Sequence, residues 1–322
     1  MTAGPAGASR RGVSKLTVRD VRELCNGVRQ LVLTHPAGAT LPSFVPGSNI
    51  SIEWAPGRWN SYSLTGPALE PDHYAISVRL DNSGHGGSRW VHELGTGDVV
   101  TVNAPVSAFA PVLTARHHIL VAGGIGITPI LSHVRAALEW DRSFELLYTF
   151  RPGSGAHVEE LLELCADRIS IVHSARALQA ALESALSDRP LGSHLYSCGP
   201  LPMIEAVQQL ARQAGWHGQR VHSETFGVGP LDAGQPFAAK LGRSGMLVPV
   251  PSGVSLLEAL LSKGIEVPNL CRQGVCGECK LPVRGGSIDH RDLYLTDDDK
   301  ASGDCIMPCV SRAAGDLVEL DL

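Results

Sequence analysis

Cys271, Cys276 and Cys279 share one eleven-residue stretch, LCRQGVCGECK, near the end of a 322-residue chain. The spacing Cys-x4-Cys-x2-Cys requires a distant fourth thiol, and Cys309, in Met307-Pro-Cys-Val310, fits. Four thiolates on two irons suit a [2Fe–2S] cluster. Gly274 and Gly277 let such a loop wrap tightly and leave backbone N–H groups facing sulfur. Structural zinc is the competing reading, but zinc sites usually pair two short hooks and only one tight hook is present. Cys305 competes with Cys309 for the fourth place and otherwise reads as a core thiol.

Of eight cysteines, Cys25, Cys165 and Cys198 are isolated and five lie in the last fifth of the chain. Cysteines bunched at one end, with no signal peptide in view, suggest a cytoplasmic metal or cluster site rather than a disulfide framework. Ser9-Arg10-Arg11 is followed by no apolar h-region, so the first residues read as a small-residue tail. Twenty-seven basic against 32 acidic residues argue against a nucleic-acid binder. No apolar run is long enough to span a bilayer.

The hydrophobic rhythm changes twice. Short β-rich runs (31–34, 49–53, 74–79, 99–102), punctuated by Gly and Pro, predict an antiparallel barrel over 14–113. From 114 to 228, strands at 119–122, 146–150, 169–172, 195–197 and 220–222 alternate with helical spacing at 128–140, 157–165, 175–186 and 203–214. That alternation predicts a parallel sheet covered on both faces, with ligands at the carboxyl ends of its strands. A linker (229–236) precedes a third, α+β domain (237–322), with a hairpin around 242–245 and a helix opened by Ser255-Leu-Leu-Glu258.

His118-Ile-Leu-Val-Ala-Gly-Gly-Ile-Gly-Ile-Thr-Pro129 reads as strand, glycine turn and helix start. Gly123, Gly124 and Gly126 allow close approach of a pyrophosphate, the helix N-terminus at Thr128 favours its charge, and Pro129 suits the first turn. Tyr196-Ser-Cys198-Gly199-Pro200 ends the fourth strand of this block and Glu224-Thr-Phe226 the fifth. Arg151, after the second strand, is a candidate for the nucleotide's phosphates or ribose. Gly84-His-Gly86-Gly87-Ser88 offers successive N–H groups and a hydroxyl for an anion, with a hairpin turn as the plain alternative. Arg79 stands just before it.

Together these segments resemble the phthalate dioxygenase reductase family, within the ferredoxin–NADP reductase superfamily, in the order flavin barrel, nucleotide domain, plant-type ferredoxin domain of the β-grasp fold. The resemblance implies that Tyr62 lies against a flavin ring, that Ser63, followed by Leu64, approaches the reactive flavin nitrogen, and that Cys198 lies near the nicotinamide with Phe226 over the flavin's other face. The family's R-x-Y-S pattern is broken here: Asn60 holds the arginine position, and Arg58 is the nearest substitute. The Gly86-Gly87-Ser88 turn implies FMN rather than FAD, and the family implies NADH over NADPH. The implied activity passes electrons from NAD(P)H through flavin and a [2Fe–2S] cluster to a terminal oxygenase, of Rieske type or a demethylase, docking near the cluster loop of a monomeric protein. A cytochrome P450 as acceptor, and a redox-sensing binding module that has lost its flavin, are the alternatives. The acidic run Asp297-Asp-Asp299 reads either as a docking patch or as a solvated loop.

Overall fold

The computed structural model describes residues 13–82, 86–107, 109–187, 189–226, 232–269 and 272–322. The chain divides into two compact units, one ending at Glu224 and the other beginning at Thr225.

The first unit holds two sheets. One is built from β1 (Val13–Cys25), β2 (Val28–Thr34), β3 (Ser48–Ala55), β4 (Arg58–Ser63), β5 (His73–Arg79), β6 (Val99–Asn103) and the short β7 (Val106–Ser107), with helix α1 (Gly87–Glu93) between β5 and β6. Its order is β4-β3-β6-β1-β2-β5, with β7 beside β3, and every pairing is antiparallel. Alternate residues Tyr74, Ile76 and Val78 of β5 enter a core with Leu31, Leu33, Ile50 and Ile52. The expectation of a closed barrel is met only in part. The two ends of the sheet meet at a single bridge, Leu64 to Ile76, rather than along a ladder. Of the turn expected at 84–88, Gly84 and His85 lie outside the described residues, Gly86 is the N-cap of α1, and Gly87 and Ser88 are its first residues.

The second sheet comprises β8 (His117–Gly123), β9 (Phe144–Thr149), β10 (Ile169–Val172), β11 (Ser193–Cys198) and β12 (Val221–Glu224). All its pairings are parallel, in the order β10-β9-β8-β11-β12. Helices α2 (Ile127–Glu139), α3 (Val158–Cys165), α4 (Ala175–Leu186) and α5 (Leu201–Gln213) cross between the strands. The central strand β8 is buried along its whole length, as a sheet covered on both faces requires. Leu120, Leu146 and Tyr148 pack with α2 and α3 on one side, and Ile119, Leu147 and Leu195 with α4 and α5 on the other.

The second unit has a mixed sheet. It contains β13 (Phe237–Leu241), β14 (Leu247–Val250), α6 (Leu256–Ser262), β15 (Leu281–Gly285), β16 (Ile288–Asp289), α7 (Asp297–Ser302), β17 (Cys305–Ile306), β18 (Arg312–Ala313) and β19 (Leu317–Leu320). The order is β14-β13-β19-β15-β17, with β13 and β19 parallel and α6 packed into the core. Ser255 caps α6 by accepting from the Glu258 N–H at 3.1 Å, as the sequence predicts. The acidic run is neither loop nor coil: Thr296 and Asp299 form a capping box and the three aspartates are the first turn of α7. Among the described residues no helix is long and apolar enough to cross a membrane.

Candidate functional site

Strand order fixes the first locus. From β8 the chain passes to β9 on one side, while β11 lies on the other, so the sheet reverses direction between β8 and β11. Loops leaving the carboxyl ends of these two strands diverge and leave a crevice, the place where open α/β sheets take their ligands. Gly123 ends β8, a single 3-10 turn spans Gly124–Gly126, and α2 follows at Ile127. Cys198 ends β11 beside Ala122 of β8.

These two turns pack backbone to backbone. A Cβ at Gly126 would stand 2.2 Å from the Cys198 carbonyl oxygen, and one at Gly199 would stand 3.0 Å from the Gly123 Cα. No side chain fits at Gly126, which is what lets the two turns approach so closely at the N-terminus of α2. Thr128 is buried and its hydroxyl donates to the Ile125 carbonyl at 3.0 Å. It and Pro129, both buried, shape the turn from within. Pro200 begins the next helical segment. Arg151 is exposed just beyond the end of β9.

Glu224 sits beside Cys198 on the adjoining strand. The residue is half-buried, but its Oε2 is wholly enclosed and has no hydrogen-bond partner. Burial pushes its carboxyl up to about 8. Burial, and then the nearby Glu224 charge, raise the Cys198 thiol well above its ordinary value. At neutral pH both groups therefore hold their protons. Cys198 is fully buried, so the two uncharged groups lie beneath the carboxyl end of the parallel sheet rather than on its surface. Phe226 belongs to the second unit and is 42% exposed.

The second locus is in the antiparallel sheet. Tyr62 packs against the sheet core, and burial drives its hydroxyl up to about 12. Ser63 is buried at the end of β4 and Leu64 makes the bridge to β5. Asn60 accepts from Trp54 Nε1 at 3.2 Å and reaches toward the Tyr62 hydroxyl at 3.5 Å. Its amide also lies against Gly87, where a Cβ would stand 2.3 Å from Nδ2. Asn60 thus joins β4 to the start of α1. Arg58 instead stacks over the Trp54 ring at 5.6 Å. Ser88 is bound to the Asp81 backbone, accepting at 3.0 Å and donating at 3.2 Å. Gly86 caps α1 and Arg79 is exposed at the end of β5, whereas Gly84 lies outside the described residues. Trp54 was silent in the sequence, since only the register shift of β3 between Glu53 and Ala55, which brings its ring to Asn60 on the neighbouring strand, gives it a part. A tyrosine and a buried serine at a strand end, beside a glycine-lined helix start, fit a flavin.

The third locus lies in the second unit. The sulfurs of Cys279 and Cys309 are 3.3 Å apart. Both cysteines are buried, while Cys276 is half-buried. Gly274 and Gly277, in the loop that leads to Cys279, both have left-handed φ angles. Cys271 lies outside the described residues, and among the described residues no group of three His, Cys, Asp or Glu is already arranged to hold a metal ion. Two sulfurs this close, in a loop turned by glycines, fit shared ligation to a two-iron cluster. Cys305 is buried in β17, opposite Pro282.

Comparison with known proteins agrees with this layout. Residues 240–314 match the 2Fe-2S iron-sulfur cluster binding domain, and residues 103–221 match the dimethylamine monooxygenase subunit DmmA-like N-terminal domain. The chain is 40% identical to the heme-dependent oxidative N-demethylase beta subunit of Ectopseudomonas mendocina, over 95% of this chain and 97% of that one. It is 36% identical to the phthalate 4,5-dioxygenase oxygenase reductase subunit of Pseudomonas putida, over 97% of both. The solved structure of phthalate dioxygenase reductase, described as a modular structure for electron transfer from pyridine nucleotides to [2Fe-2S], superposes with a TM-score of 0.83 at 35% identity, covering 97% of this chain and 98% of that one. The chain therefore belongs to the phthalate dioxygenase reductase-like family: it is an NAD(P)H-dependent oxidoreductase that passes electrons by way of a flavin and a [2Fe–2S] cluster to an oxygenase.

Proposed function

We propose that NADH is the electron donor, that the flavin is FMN, and that the acceptor is an N-demethylating oxygenase docking beside the cluster loop. The observation that carries the nucleotide reading is the close packing of the Gly123–Gly126 turn on Cys198 and Gly199 at the switch point, with Glu224 alongside. In this reading Gly123, Gly124, Gly126, Thr128, Pro129 and Arg151 form the dinucleotide's bed. Cys198, Gly199, Pro200 and Glu224 form the nicotinamide end, with Phe226 as the ring cover. Tyr62, Ser63, Leu64, Gly86, Gly87 and Ser88 hold the flavin, with Arg58 or Arg79 as the cation for its phosphate. Cys271, Cys276, Cys279 and Cys309 are the cluster ligands. The working division is 14–113, 114–228 and 237–322, joined by 229–236.

When bound, flavin supplies the exchange between a two-electron donor and one-electron carriers. The chain's own contribution is alignment. Cys198 and Glu224, both protonated near neutrality, place no charge against the nicotinamide. The choice of NADH rests on the family resemblance alone: Ser174 accepts from the Ala177 N–H at 3.1 Å to cap α4, which leaves its own hydroxyl proton, and the neighbouring Arg176, available to a 2′-phosphate. The choice of an N-demethylating acceptor rests on the names of the relatives matched over residues 103–221 and over nearly the whole chain.

Heat-released flavin should run as FMN, and kcat/KM should be higher with NADH than with NADPH. Recovery of FAD, or a preference for NADPH, overturns that part of the reading. Formaldehyde release from dimethylamine by the reconstituted oxygenase, dependent on this chain and NADH, tests the acceptor.

A further inference from the structure

His157 stands just before α3 with a left-handed backbone, φ 59°, and its side chain is only 1% exposed. A left-handed backbone costs a non-glycine residue roughly 1–2 kcal/mol, so its contacts must hold it there. Nε2 lies 2.8 Å from the Ser77 hydroxyl, on β5 of the antiparallel sheet. Nδ1 lies 2.7 Å from Glu160 Oε2, and the other Glu160 oxygen accepts from Arg135 of α2. Burial alone would raise the Glu160 carboxyl, but the His157 bond and the Arg135 charge hold it below its ordinary value. A carboxylate accepts only, which puts a proton on Nδ1; in the neutral imidazole Nε2 is then the acceptor for Ser77.

The order serine, histidine, glutamate is that of an activated nucleophile. Ser77 is 5% exposed, and nothing the size of a substrate can reach it. The line of bonds leads elsewhere. Ser77 follows Ile76, whose bridge partner Leu64 directly follows Ser63. On the other side, the Ala156 carbonyl accepts from the Tyr148 hydroxyl at 3.1 Å, and that hydroxyl also lies 3.2 Å from the Gly124 carbonyl. One continuous path therefore joins the glycine turn, Tyr148, Ala156, His157, Ser77 and the strand that ends in Tyr62 and Ser63.

We propose that His157 is a positioning residue that locks the nucleotide-binding turn at Gly124 to the flavin-binding strand at Ser63, and so sets the approach of nicotinamide to flavin. Hydride transfer tolerates little misplacement, since an error of about 1 Å costs on the order of 100-fold in rate. A lock between the two binding elements acts on that distance while touching neither ligand.

The test compares His157→Ala, His157→Gln and Ser77→Ala in the full chain with its cofactors bound. Flavin reduction by NADH is followed by stopped flow, together with the long-wavelength absorbance of the nicotinamide–flavin pair and the melting temperature. Hydrogen exchange at the Gly124–Ile127 amides gives a reading independent of flavin. His157→Ala should slow flavin reduction at saturating NADH at least tenfold, weaken the long-wavelength absorbance and speed exchange at the turn. His157→Gln, whose carboxamide oxygen can take the place of Nε2, should recover to within about threefold of the parent. Ser77→Ala removes one bond without changing the backbone, and should reproduce the alanine effects in weaker form even if His157→Ala does not fold. A lowered melting temperature with reduction rate and absorbance within twofold of the parent, in Ser77→Ala or in a folded His157→Ala, overturns the proposal. Failure of glutamine to rescue a folded alanine variant overturns it as well.

Discussion

Tyr294 lies over Gly277, so that a Cβ on that glycine would stand 2.2 Å from the ring's Cζ. The glycine sits between Cys276 and Cys279 with φ 79°, and the tyrosine is 49% exposed. Two separate costs thus bear on Gly277→Ala, a steric one that the tyrosine can relieve by swinging outward and a backbone one of roughly 1–2 kcal/mol that nothing relieves. The variant should lose part of its cluster absorbance per protein. Adding Tyr294→Ala should restore only the steric share, and full restoration would show that the backbone is not strained.

Gly126 meets a backbone atom instead, and a carbonyl cannot swing away. Gly126→Ala should force the Cys198 turn from the glycine turn and lower kcat/KM for NADH by roughly 100-fold, the scale of an ångström-sized misplacement. Flavin content, read by absorbance, should be unchanged.

Glu224 carries a pH signature. Its carboxyl is raised from 4.5 to about 8 in the folded protein. Between those values the folded state keeps a proton that the unfolded state has lost, so stability falls as pH rises through this window. The contribution is full below about pH 4.5 and gone above about pH 8. Glu224→Gln should flatten the melting temperature against pH across that range. His118 and His133, lowered by burial to about 4, act in the opposite sense below pH 6.5, and they cancel when variant and parent are compared at each pH.

The acidic run splits into two roles. Asp299 completes the capping box of α7 and pairs with Lys280 at 3.3 Å, so Asp299→Asn should lower the melting temperature of the second unit. Asp297 and Asp298 are exposed. Changing both to Asn should slow electron delivery to the oxygenase at low salt while leaving NADH oxidation by ferricyanide unchanged. Equal delivery rates would remove the run from docking.

Cys309→Ser should abolish the visible absorbance of the cluster, whereas Cys305→Ser should keep it, because the Cys309 sulfur lies 3.3 Å from that of Cys279. Iron content per chain and the visible spectrum decide between them. Bleaching by Cys305→Ser alone would reassign the fourth ligand.

Local chemistry made much of this protein readable from its residues in order. The apolar run 119–122 and the glycines after it announce a buried strand and a phosphate turn, because both depend on neighbours in sequence. The cap at Ser255 and the cysteine spacing are legible for the same reason. Thr296 and Asp299 carry the same kind of local signal, yet their charges made the segment read as solvent-facing until the helix showed them bonded to each other. Other features depended on partners far away in the chain. Asn60 in an arginine position seemed a gap in the flavin pattern until Trp54 and Gly87 closed around its amide. Nothing near His157 in sequence points to Ser77, 80 residues earlier. Periodicity says which face of a strand is buried, but it does not say what covers that face. Only the packing of the two sheets decided that Ser77, on the side of β5 facing away from its own core, would meet an imidazole from α3.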